Sequence, residues 1–191
     1  SGTITTYLDG SAVDTDSRAG NVNSNGNDLY IGRNGTDYFN GQFSDISIFD
    51  SALSTDQINY LYNSGTPQNP MAISGQPPVA YYPLGGSSTG SASTLTVPNE
   101  SVPSATVFDF TPSLQYIKLN NSLTDFGVTD TFSFSTWVKA NTITSWANVI
   151  ASGNTWSEGF GLFQSTGQKW QFWVDQYNGS FTTSVDNIVA G

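Results

Sequence analysis

The sequence predicts an all-β fold, a jelly-roll sandwich of two antiparallel sheets carrying one short helix. Three observations lead there. Apolar and polar residues alternate with period two over several short segments, the signature of a pleated strand. Turn dipeptides punctuate those segments at near-regular spacing: Asp9-Gly10, Asn34-Gly35, Asn40-Gly41, Thr166-Gly167 and Asn178-Gly179. Long charged helix formers are scarce. Only 10% of the 191 residues are charged, against roughly 25% in ordinary domains, with Glu only at Glu100 and Glu158 and Lys only at Lys118, Lys139 and Lys169.

Taken in chain order, short strands are expected at Thr3 to Leu8, Asp28 to Gly32 and Gln42 to Phe49. A helix follows. Ser54 with Gln57 three residues later forms a capping box, Leu53, Ile58, Leu61 and Tyr62 make an apolar stripe, and Gly65 is placed to end it. Strands resume at Tyr116 to Leu119, Asn148 to Ala151 and Phe160 to Gln164. The clearest alternation is Phe132, Phe134, Thr136 and Val138 against Ser133, Ser135, Trp137 and Lys139, joined by Trp170, Phe172 and Val174 against Gln171, Trp173 and Asp175. Both faces of these strands carry aromatic residues. That implies layers on each side, or a curved sheet with an aromatic-lined concave face.

Composition excludes several functions. Asp and Glu number 15 against 5 Lys and Arg, for a net charge of −10, so the chain cannot neutralise a phosphate backbone and nucleic acid is not an expected partner. His and Cys are absent, which removes Ser-His-Asp and Cys-His triads, imidazole or thiolate metal sites, and disulfides. No run of about 18 apolar residues occurs, and membrane insertion is not expected. The remaining chemistry is that of carboxylates, hydroxyls, amides and aromatic faces.

Residues 65–78, GTPQNPMAISGQPP, hold four of the eight prolines and read as a connector between residues 1–64 and residues 79–191. In the first part, TYLDG (Thr6 to Gly10), LYIGRNG (Leu29 to Gly35) and YFNGQFSDISIFDSALSTDQINYLY (Tyr38 to Tyr62) resemble the C-terminal half of a laminin G-like domain of the concanavalin A-like lectin and glucanase superfamily. In the second, AYYPL (Ala80 to Leu84), VFDF (Val107 to Phe110), QYIKL (Gln115 to Leu119) and TFSFSTWVKA (Thr131 to Ala140) resemble its N-terminal half. The resemblance thus implies a concanavalin A-like jelly roll with its halves in inverted order. It also implies a missing strand, since members carry a Trp-His-Val-Ala type strand between the halves, where this chain ends and begins. Two explanations compete. The chain is a window cut from a tandem array, the favoured one because permutation alone deletes no strand, or it folds as a circular permutant with close termini.

The superfamily includes glycoside hydrolases, whose retaining members need two carboxyl groups about 5–5.5 Å apart. Glu100 and Glu158 are 58 residues apart and no strand presents Glu-x-Asp-x-x-Glu, so no enzyme is expected. Asp14 and Asp16 alternate and flank a turn region, where they read as solvated turn-forming acids or as ligands. Calcium is the one cofactor the resemblance allows, with Asp14, Asp16 and Asp28 as its carboxylates beside a general acidic surface as the plainer reading. For carbohydrate, Trp156, Tyr177 and Asn178 are expected to meet Asp14 and Asp16 at one end of the sandwich, with Trp146 and Arg33 to Tyr38 at the other. An equally open reading has these aromatics plugging the ends, while Trp137 and Trp170 belong to the core.

The expectation is therefore a non-catalytic module of an extracellular, cell-surface or virion protein that recognises glycans or cell-surface polysaccharide, or serves as a repeated adhesion unit. In style it resembles appendage and adhesin proteins of marine bacteria and their phages. The alternative is a structural subunit or spacer of a fibre, filament or capsid appendage, self-assembling by strand exchange with neighbouring copies.

Overall fold

The computed structural model describes residues 2–18, 26–84, 108–110, 115–129, 131–152, 159–174, 180–184 and 186–190. Before the connector lie β1 (Gly2–Leu8), β2 (Ser11–Arg18), β3 (Leu29–Ile31), the short β4 (Arg33–Asn34) and β5 (Asp37–Tyr38), β6 (Gly41–Phe49) and helix α1 (Thr55–Tyr62). After it come β7 (Ala80–Tyr82), β8 (Phe108–Phe110), β9 (Ile117–Leu119), β10 (Ser133–Ala140), β11 (Asn148–Ser152), β12 (Phe160–Gln164), β13 (Trp170–Val174) and β14 (Ser180–Thr183).

Two sheets enclose one core. The larger has six antiparallel strands in the order β14-β13-β12-β11-β3-β9. The other is built around β6, which pairs with β10 along one side and with β7 and β8 at opposite ends of the other. Leu29, Ile31, Phe43, Ile46, Val149 and Phe160 are at most 1% exposed and meet between the layers, each contributing on the order of 1.5–3 kcal/mol through apolar burial. The all-β sandwich predicted from periodicity is the fold observed.

Strands from the two sides of the connector interleave. β3 lies between β11 and β9, and β6 between β10 and the β7–β8 pair. Residues 1–64 and 79–191 thus contribute neighbouring strands to a single sandwich. The connector itself packs down: Ile73 joins Phe49 and Leu61 in a small cluster under α1, and Val79, the residue just after it, donates its amide to the Ile48 carbonyl at 2.8 Å.

Several local readings need correction. The capping box at Ser54 and Gln57 forms, with the Ser54 amide donating to Gln57 Oε1 at 2.8 Å, but α1 ends at left-handed Asn63 (φ +36°) rather than at Gly65. Asn40-Gly41 is no turn. Gly41 opens β6, and a Cβ there would run into the Lys139 carbonyl and the Phe39 ring. The turn near Asn34 is made by Gly35-Thr36, between Asn34 and its cross-strand partner Asp37. The alternation of β10 holds, with Phe134 and Val138 on the core; the extra residue at the register shift lies in its partner β6, near Asp45 at φ +52°. Trp137, expected in the core, lies on the other face and stacks on Tyr62 of α1, ring centroids 6.1 Å apart.

β1 and β2 form a hairpin closed by Asp9-Gly10, both residues at positive φ. It pairs by backbone with no other described strand.

Candidate functional site

The outer face of the six-stranded sheet is aromatic. In β3 and β9, Leu29, Ile31, Ile117 and Leu119 point into the core, so Tyr30 and Lys118 point outward. Cross-strand registers then place Lys118, Tyr30, Ala151, Gly161, Trp173 and Phe181 in one row across the sheet. Trp173 lies over Gly161, where a Cβ would sit 3.1 Å from the indole. Beside this row Phe163 packs against Trp173 and carries Trp146 stacked on its other side, at 6.2 and 5.5 Å between centroids.

At the β3–β9 end, Tyr30, Tyr38 and Tyr116 surround the Arg33 guanidinium, whose carbon lies 5.1, 5.9 and 4.3 Å from the three ring centroids. Cation–π attraction and the turn at Gly35-Thr36 hold these rings together. Lys118 Nζ sits 2.7 Å from Asp28 Oδ2, and this hydrogen bond, reinforced by the Asp28 charge, holds the ammonium above its usual pKa. Burial raises the Asp37 carboxyl. Tyr116, Trp146 and Phe181 are 40%, 37% and 49% exposed, whereas Ala151, Phe163 and Trp173 in the middle of the face are at most 2% exposed. The exposed rings offer flat apolar faces, at the β9 edge beside charged donors and acceptors, the chemistry that stacks on a sugar ring and bonds its hydroxyls.

Of the residues expected to form a site at one end, Trp156, Tyr177 and Asn178 lie outside the described residues, as do Glu100 and Glu158. Asp14 and Asp16 are placed inside β2 rather than beside a turn. Their carboxylates close the free edge of β14: the Thr183 amide donates to Asp14 Oδ2 at 2.7 Å, and the Phe181 amide to Asp16 Oδ2 at 3.2 Å. The other oxygens accept from Thr15 and Ser17. Asp28 stands next to β3, four strands across the sheet from β14, about 19 Å at ordinary strand spacing. Asp14, Asp16 and Asp28 are therefore not brought together. Among the described residues, no three carboxylates cluster as a metal site would need.

Sequence reasoning passed over Tyr30, Tyr116 and Phe181. The signal was present in Leu29-Tyr30-Ile31 and Ile117-Lys118-Leu119, where one outward residue stands between two core residues.

Residues 1–59 match a laminin G family model described as the Concanavalin A-like lectin/glucanases superfamily. No curated protein and no solved structure matches the chain. Among the described residues, no helix is long and apolar enough to cross a membrane.

Proposed function

We propose that the chain is a non-catalytic carbohydrate-binding module of adhesion type, working at a cell or virion surface, and that its sugar surface is the aromatic outer face of the six-stranded sheet. The observation that carries this is the exposure of Tyr116 at the β9 edge of the sheet, with the Lys118–Asp28 pair alongside, and of Trp146 and Phe181 farther across the same face, around a buried centre. The match of residues 1–59 to a superfamily of lectins and glucanases supports the same class. Calcium, Trp156, Tyr177 and Asn178 enter only as a proposed extension of this surface toward the β12–β14 end.

A glycan array probed with and without calcium tests the reading. Binding is expected to weaken about tenfold in Tyr116→Ala or Trp146→Ala, the loss of one stacking face. Absence of binding in both conditions overturns it.

A second reading, a fibre or capsid subunit assembled by strand exchange, is favoured by one observation: among the described residues, no strand joins β1 to β10. On either reading we propose that the two halves stand in inverted family order, as a window from a tandem array or as a circular permutant.

A further inference from the structure

The layer opposite the six-stranded sheet is split. Its main part ends at β10, whose described backbone partners are all in β6; its remainder is the hairpin, where β1 pairs only with β2 among the described residues. The unpaired edges of β1 and β10 border a groove of about 650 Å³. Its floor is the inner face of the six-stranded sheet, with Leu162, Trp170, Phe172 and Val174 beneath, and Ile4 and Phe134 on its walls.

Side chains hold the hairpin away from β10. At its tip, Gly10 abuts Tyr62, where a Cβ would lie 2.7 Å from the ring, and Tyr62 stacks on Trp137 of β10. Along its length Thr6 hydrogen-bonds Thr182, and Asp14 and Asp16 take amides of β14. The same contacts give direction. Thr6 is level with Thr182, the partner of Phe172, which packs against Phe132 just before β10; Gly10 is level with Trp137. β1 and β10 therefore run the same way, and one strand entering between them in the opposite sense would be antiparallel to both.

Beyond the strand-exchange reading, we propose that this groove accepts a single extended peptide strand from a different polypeptide, apolar at alternate residues and neutral or basic elsewhere. Two rows of unpaired backbone amides and carbonyls facing each other across an apolar floor are satisfied together by a strand, which supplies both rows and sends every second side chain down. Charge selects the partner. Asp9 lines the groove and the chain carries −10 overall, so a second copy is repelled where a basic strand is drawn in.

The test uses hydrogen exchange on the full chain with a synthetic heptapeptide bearing valine at its second, fourth and sixth positions and lysine at both ends. Amides of β1 and β10 are expected to slow at least tenfold, with β6 unchanged. A peptide of the same composition with its valines contiguous, and one N-methylated at alternate amides, are expected to give no protection. Ile4→Lys is expected to weaken peptide binding at least tenfold while β6 keeps its protection, which reports a folded chain. No slowing in β1 and β10, or equal slowing by the N-methylated peptide, overturns the proposal. Protection of the same amides by the chain's own concentration-dependent dimerisation overturns the choice of partner. Peptide binding without any assembly in light scattering would leave the groove standing and overturn the assembly reading alone.

Discussion

β6 and β1 are strands of similar length on the same side of the core, and they are held by different means. β6 is paired along both edges, and eight of its nine residues are buried. Among the described residues β1 has one backbone partner; it has no buried residue and is fixed by a threonine pair, a glycine turn under a tyrosine and two carboxylates on its sister strand. Pairing on both sides places a strand by its backbone, whatever its neighbours carry. With one side open, the position depends on a few particular side chains, and the hairpin becomes the part of the molecule that single substitutions release.

The largest expected effect breaks the paired region. Phe43 is fully buried and packs edge-on against Phe110 at 5.0 Å; Phe43→Ala should cost about 3–5 kcal/mol in urea denaturation through lost burial and a cavity. Alkali probes the same layer. Burial pushes the Tyr82 hydroxyl from 10.0 up to about 12, so the folded state favours the neutral phenol. That stabilisation is complete below the unfolded value of about 10 and is lost as pH rises through about 12, on the order of 2 kcal/mol. Tyr82→Phe should flatten the decline of stability with pH measured over that window.

The hairpin answers to smaller changes. Asp14→Ala leaves the Thr183 amide without its acceptor and should cost about 1 kcal/mol. Its sharper signature is local: exchange of β1, β2 and β14 amides should accelerate while β6 stays protected. Equal acceleration in β6 would show that the two regions unfold as one.

The smallest effect compares the two edges of the six-stranded sheet. Carboxylates distant in sequence close the β14 edge, whereas beyond β9 a local turn carries Asp125, which accepts from the Ser122 amide and hydroxyl at 2.8 and 2.9 Å. These bonds lower the Asp125 pKa from 3.8, so their contribution is present above 3.8 and fades as pH falls through the lowered value. Ser122→Ala should move the Asp125 titration seen by NMR back upward, with little change in overall stability.

Legibility in the sequence followed burial. The strands β6, β12 and β13 and the capping box of α1 were readable because alternating or capped residues report their own surroundings. β2 and β14 were not. Asp14 and Asp16 alternate, but polar alternation without an apolar face looks like a turn, and Ser180 to Thr183 carries one large apolar residue, itself exposed. Edge strands take their identity from the partner beside them. The candidate surface was half legible for the same reason. Aromatics on both faces of the strands announced it, while the row joining Tyr30, Trp173 and Phe181 depends on registers between strands far apart in the chain.

By itself, the sequence determined the class of the fold, the exclusion of histidine and cysteine chemistry, and the short helix, because period, composition and capping are local properties. Only the tertiary structure decided that the two sides of the connector interleave in one sandwich, that Asp14 and Asp16 seal an edge, and that a groove separates β1 from β10. Those outcomes rest on pairing between distant strands, where backbone hydrogen bonds and packing area are settled by which edges meet.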